Sequence, residues 1–138
     1  MLRLCACLGV RLHLIHPTGF PFSLKAVRRA GLDYIDDVEF VEHDDFVAFE
    51  QWRGEAGRRL VLLTTGARAS VYDSVFGPDD VILLGRESAG VPDAVADRAA
   101  LRLRIPMRPG LRSLNVATAA SLVLGEALRQ TGAIDHLE

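Results

Sequence analysis

The sequence predicts an α/β fold with a mostly parallel sheet flanked by helices, and three observations predict it. Short apolar runs recur along the chain, helical patterns separate them, and no linker, repeat or low-complexity stretch interrupts the alternation. The 138 residues fit a single domain spanning 1–138. A hydrophobic fraction of 49% and a charged fraction of 25% are those of a globular chain and exclude a disordered or fibrous one. No apolar run approaches the roughly 20 residues that a membrane span requires. Arg3, Arg11 and His13 interrupt the first 15 residues, which argues against a secretory signal, so a cytoplasmic protein is expected.

Each element has its own signal. Leu2 to Leu8 reads as the later part of a helix stopped by Gly9, with no cap and no preceding strand. Arg11 to Ile15 alternates like a strand, which Pro17-Thr18-Gly19 ends. Ser23 caps a short helix to about Ala30, with Gly31 as its stop. Val38 to Val41 is a second strand, followed by a helix from about Asp44 to Trp52. Leu60 to Thr64 and Val81 to Leu84 are buried strands by their leucine and β-branched content, and Leu101 to Ile105 is the last strand. The last helix has the strongest pattern, because Val116, Ala119, Ala120, Val123, Leu124, Ala127 and Leu128 recur at helical spacing on one stripe. Ser113 or Asn115 would cap it, and Gly132 would stop it. Gly125 inside it costs about 1 kcal/mol against Ala and suggests either close approach of another element or a lost side chain.

Charge is unevenly spread behind a net value of −2. Residues 1 to 32 contain no carboxylate, whereas Asp33 to Glu50 hold eight. A second acid-free stretch carries Arg98, Arg102, Arg104, Arg108 and Arg112, enough for a local positive surface facing a polyanion. Cys5 and Cys7 stand at a spacing that suits neither a metal knuckle nor an easily closed disulfide, and are read as small core residues. His13, His16, His43 and His136 form no visible constellation. No plausible metal cluster is present, and no Gly-x-Gly-x-x-Gly follows an early strand as a dinucleotide binder would require.

Two segments lie about one βα unit apart and combine backbone-permissive Gly and Pro with a few polar groups: Gly85-x-Glu87-x-x-Gly90-x-Pro92, and Ile105-Pro106-Met107 through Arg112-Ser113-Leu114-Asn115. They resemble motifs two and three of the SpoU branch of the SPOUT RNA 2'-O-methyltransferases. Arg3-Leu4-Cys5 to Gly9, Arg11 to Ile15 and Arg28 to Tyr34 look like the subfamily that methylates the ribose of the tRNA wobble nucleotide, cytidine or uridine 34. The resemblance runs over nearly the whole chain. It implies a C-terminal trefoil knot, a homodimer, S-adenosylmethionine as cofactor and tRNA as partner, with no membrane and no metal.

By position, the resemblance assigns Leu63, Thr64, Gly85, Glu87, Gly90, Ile105, Met107, Ser113 and Leu114 to the cofactor pocket. It assigns Arg3, Ser113 and Asn115 to catalysis, and Arg3, Arg108 and Arg112 to RNA contact. The motif-one arginine, here Arg3, is commonly cast as a general base, but a guanidinium keeps its proton up to a pKa above about 12. A phosphate grip that also stabilises the developing alkoxide fits its chemistry better, with Ser113 or Asn115 orienting the ribose. Two departures stand out. The family's Asn-x-Gly-Asn stretch and the strand before it have no counterpart ahead of Arg3. This implies a start placed too late, the reading favoured here, or a truncated descendant, for which an inactive RNA-binding or dimerisation module is the alternative. Gly125 replaces an aromatic residue of the wobble-methylating relatives, which leaves another tRNA or rRNA nucleotide as a rival target.

Overall fold

The computed structural model describes residues 1–18, 23–29, 33–86 and 90–138. They form two compact units, Met1–Glu55 and Ala56–Glu138.

In the first unit, α1 (Leu2–Leu8) ends on Gly9 at φ +62°, a left-handed turn open to glycine without a Cβ penalty. The N–H groups of Gly9 and Val10 then return to the carbonyls of Ala6 and Cys5. Two parallel strands follow, β1 (Leu12–Ile15) and β2 (Phe40–His43), in a register that opposes Leu12 to Phe40 and Ile15 to His43. Between them lie α2 (Leu24–Arg29) and a 3-10 turn over Asp33–Asp37. Ser23 Oγ accepts the Ala26 N–H at 3.2 Å, as expected of a cap; the expected stop at Gly31 and the last helical residue Ala30 lie outside the described residues. Cys5, Ile35 and Val38 are buried together against Leu2, Leu12, Val27 and Phe40. Helix α3 (Phe46–Glu55) starts on Asp45, whose Oδ1 accepts the Ala48 N–H at 2.8 Å, and buries Phe49.

Three expectations change in this unit. The second strand begins at Phe40 rather than Val38, because Val38 is spent on the core cluster ahead of the strand. Cys5 is buried but Cys7 is exposed, since residues two apart on a helix face different ways. The histidines also form a constellation that spacing did not reveal: His13 Nδ1 lies 2.8 Å from His43 Nε2, and Trp52 covers the His13 ring at a centroid distance of 4.2 Å.

The second unit is a four-stranded parallel sheet in the order β4-β6-β3-β5. Its strands are β3 (Leu60–Leu63), the two-residue edge strand β4 (Ala69–Ser70), β5 (Val81–Leu84) and β6 (Leu101–Arg104). The last strand in sequence thus inserts between two earlier ones. Strand β3 is apolar throughout because its neighbours pair with both edges and both of its faces are covered. Val61, Val71, Phe76, Leu103 and Val123 form the core, with Leu63, Ile82 and Ala127 packed on it.

The core helix α5 (Val116–Thr131) is capped by Asn115, whose Oδ1 accepts the Ala117 N–H at 2.9 Å; Ser113 is not the cap. It stops at Gly132, φ +75°. Among the described residues nothing lies within 4 Å of where a Cβ of Gly125 would stand, so of the two readings of this glycine the close approach of another element is not seen there. Gln130 ties α5 to the loop after β4, donating to the Ser74 carbonyl at 2.8 Å and accepting the Phe76 N–H at 2.9 Å. Arg59 grips Asp80 through two nitrogens at 2.8 and 2.6 Å, fixing the approach to β5. A short helix, α4 (Asp93–Ala96), follows Pro92.

Candidate active site

The parallel strands of the second unit all release their chains at one end of the sheet, where ligands of α/β proteins are usually received. A cleft of about 170 Å³ opens there. Leu62, Leu63, Thr64 and Thr65 reach it from the end of β3; Leu84, Gly85, Gly90 and Val91 from the turn after β5; Ile105, Met107, Ser113 and Leu114 from the segment after β6. Val116 and Ala119, one turn apart on α5, close it. The two turns singled out in the sequence therefore meet in a single pocket.

Local chemistry explains each turn. After β5 the chain folds back so tightly that Arg86 and Gly90 exchange backbone hydrogen bonds in both directions, at 2.9 and 3.3 Å. A Cβ on Gly85 would stand 2.6 Å from the carbonyl carbon of Gly90, closer than atoms can approach, so only glycine fits. Gly90 itself has φ +64°. After β6, Pro109 and Gly110 form a reversal with Gly110 at φ +87° and the Leu111 N–H returning to Arg108. This reversal brings Ser113 and Leu114 back to the cleft.

The walls are aliphatic, and the polar side chains among them are few. Thr64 Oγ1 meets the Gly66 N–H at 3.4 Å, whereas the hydroxyls of Thr65 and Ser113 have no side-chain hydrogen bond among the described residues. An apolar slot with two uncommitted hydroxyls and no room for a Cβ at Gly85 fits a flat heterocycle carrying a hydroxylated sugar.

Of the nine residues assigned to the cofactor, Leu63, Thr64, Gly85, Gly90, Ile105, Met107, Ser113 and Leu114 all line this cleft; Glu87 lies outside the described residues. Asn115 does not line it and uses its side chain to cap α5. Arg3 lies exposed on α1 of the first unit. Arg108 and Arg112 are exposed on the segment after β6 and make no ion pair among the described residues. The sequence reading missed Leu62, Thr65, Leu84, Val91, Val116 and Ala119. The i, i+3 pair Val116 and Ala119 beside a motif asparagine was the signal available for the last two.

The sequence pattern described as the SpoU rRNA Methylase family matches residues 1–125. The chain belongs to that family. A relative from Beijerinckia indica subsp. indica, named tRNA (cytidine(34)-2'-O)-methyltransferase, is 59% identical over 134 residues, covering 97% of this chain and 84% of the relative. The chain is also similar to a solved structure presented as structural insights into the 2-OH methylation of C/U34 on tRNA. That structure has a TM-score of 0.84 and 41% identity, with 94% of this chain and 84% of the other covered. An AdoMet-bound rRNA methyltransferase from Sinorhizobium meliloti matches at a TM-score of 0.80 and 28% identity, over 93% of this chain and 49% of its own length. Within the SpoU family, the cleft of the second unit is thus formed by the same two motifs that carry the sequence resemblance.

Proposed function

We propose that this protein methylates the ribose 2'-hydroxyl of nucleotide 34, cytidine or uridine, of tRNA, with S-adenosylmethionine as methyl donor. The observation that carries the proposal is the convergence of the turn after β5 and the segment after β6 on one cleft. It is joined by 59% identity to a relative named for that reaction.

When bound, S-adenosylmethionine supplies a methyl group made electrophilic by its sulfonium. The aliphatic walls from Leu63, Ile105 and Leu114 would hold its adenine, and the Gly85–Gly90 turn leaves backbone groups close at hand. The chain's own work is to orient the ribose and lower the cost of removing the hydroxyl proton. Ser113, with its hydroxyl at the cleft, orients the ribose; Asn115 fixes the first turn of α5 beside it. Arg3 grips the nucleotide phosphate and stabilises negative charge developing on the 2'-oxygen, a role its permanent charge and rigid fork suit better than proton abstraction. Arg108 and Arg112 contact flanking phosphates.

The proposal extends to assembly. Both units act as one methyltransferase domain over residues 1–138, carrying the trefoil knot that the family resemblance implies, in a cytoplasmic homodimer. Leu122 on α5, with Ile134 and Leu137 after it, exposes apolar surface suited to a subunit contact. Among the described residues no helix is long and apolar enough to cross a membrane.

The test supplies the purified protein with labelled S-adenosylmethionine and bulk tRNA, then maps 2'-O-methyl groups by mass spectrometry. Label at nucleotide 34 is expected. Label confined to another nucleotide, or none, overturns the assignment.

A further inference from the structure

Three arginines of the acid-free stretch stand immediately beside residues that line the cleft. Arg104 precedes Ile105, Arg108 follows Met107, and Arg112 precedes Ser113. Arg108 and Arg112 belong to the reading above, but Arg104 projects elsewhere. Leu103, its neighbour on β6, is fully buried in the core under α5, while Arg104 and Arg102 are exposed on the opposite face of the same strand. Arg102 pairs with Asp97 at 3.0 Å, whereas Arg104 makes no ion pair among the described residues.

Beside β6 in the sheet lies the two-residue edge strand β4, in which Ser70 opposes Arg104. Two exposed side chains bracket this edge. Arg68, also without an ion pair among the described residues, enters β4 from the loop that leaves the cleft at Thr65. Tyr72 leaves it and is 51% exposed, one residue beyond the Val71 N–H that donates to the Arg104 carbonyl at 3.0 Å. Two uncommitted guanidiniums and an exposed aromatic ring, gathered beside a cleft, make a phosphate-and-base surface. An aromatic platform receives bases that are already unstacked, as in a single-stranded loop.

We infer that the β4–β6 edge, through Arg68, Arg104 and Tyr72, is a second arm of the RNA path that holds nucleotides flanking the methylated one in a single-stranded loop. The inference rests on the reading of the cleft as the methylation site. The two arginines neutralise backbone phosphates and Tyr72 stacks one base. Arg108 and Arg112 hold the strand next to Met107 and Ser113 of the cleft.

The experiment compares the wild-type protein with the Arg68→Ala/Arg104→Ala pair and with Tyr72→Ala. It measures the KM for tRNA, the salt dependence of tRNA binding, and the Kd for S-adenosylmethionine by calorimetry. For the arginine pair, KM is expected to rise about 3- to 20-fold. The slope of log K against log salt is expected to shrink by about 0.7 to 0.9 for each arginine, with cofactor Kd unchanged. Tyr72→Ala is expected to raise KM at least about 5-fold, and Tyr72→Phe to restore it. The double variant Arg68→Lys/Arg104→Lys keeps the charge and should recover the slope. A KM and slope within 2-fold of wild type in the alanine pair overturn the inference, as does a lysine pair as poor as the alanine pair. A wild-type protein that transfers no methyl to tRNA fails the methylation reading instead, so the two failures are distinct.

Discussion

In the second unit the polar groups sit at strand ends around an apolar cleft, and two of their hydroxyls, on Thr65 and Ser113, have no side-chain hydrogen bond among the described residues. In the first unit a histidine pair turns inward. His43, only 8% exposed, meets His13 at 2.8 Å, and the pair is packed by Trp52 and by the edge of Phe49. The difference teaches where to look for chemistry. Hydrogen-bonding capacity left open beside a cleft can be completed by a ligand, whereas a pair that satisfies itself under aromatic rings is part of the packing.

Arg3 is the sharpest test of that division, because it lies in the unit without the cleft. Arg3→Lys is expected to cut turnover by about 10²- to 10³-fold or more, the loss typical of a removed charge-stabilising donor. Affinity for S-adenosylmethionine should stay within a few-fold in calorimetry. Equal loss of both would mean that the first unit shapes cofactor binding and would erase the contrast.

Gly85→Ala should do the reverse. A Cβ there would collide with backbone of Gly90, which cannot rotate away as a side chain tip can. Overpacking of this kind costs about 1 to 3 kcal/mol, so cofactor Kd should weaken by as much as about 5- to 150-fold. The denaturation midpoint should move less, since the turn lies beyond the strand ends rather than in the core of Val61, Leu103 and Val123. An unchanged Kd would remove the turn from the pocket.

Asn115 stands between the two kinds of residue, a motif residue whose side chain is occupied structurally. Losing the cap in Asn115→Ala should cost about 1 kcal/mol in urea unfolding. Asn115→Ser keeps a capping oxygen and should recover most of that stability. If the serine variant is stable yet as inactive as the alanine variant, the amide has a direct part in catalysis; if activity returns with stability, capping is its whole contribution.

The same contrast decides what could be read before the fold was known. The strand Leu60–Leu63 was legible because burial on both faces leaves an unbroken apolar run, Val81–Leu84 because its residues are all aliphatic although each is only half-buried at the sheet edge, and the site turns because Gly85, Pro109 and Gly110 announce backbone that ordinary residues avoid. Thr65 and Val91 were not, because a lining residue is defined by strand register, which aligns the ends of β3, β5 and β6, and not by residue type. The His13–His43 pair was hidden for a related reason. The two are 30 residues apart, and only the pairing of His13 with Val41 and of Ile15 with His43 makes them diagonal neighbours on one face. The two-residue β4 is too short for any periodicity to report it.

The smallest effect expected is a difference in acid sensitivity between the units. Burial lowers the His43 pKa from 6.5, so the folded chain resists the proton that the unfolded chain accepts. Stability from this group is complete above pH 6.5 and is lost as pH falls through 6.5 toward the lower folded value, with a slope of at most about 1.4 kcal/mol per pH unit. In the second unit the corresponding group is Asp80. Burial raises its pKa, but the fork of Arg59 and the N–H of Gly77 outweigh burial and leave it below 3.8. Its contribution therefore persists until pH drops below 3.8. Hydrogen exchange between pH 7.5 and 5 should show amides of β1 and β2 losing protection before those of β3 and β6. His43→Gln, which keeps a hydrogen-bonding partner for His13 without the titrating ring, should flatten the loss in the first unit alone. A loss of equal size in both units, or one that survives His43→Gln, would show that the buried histidine is not its source.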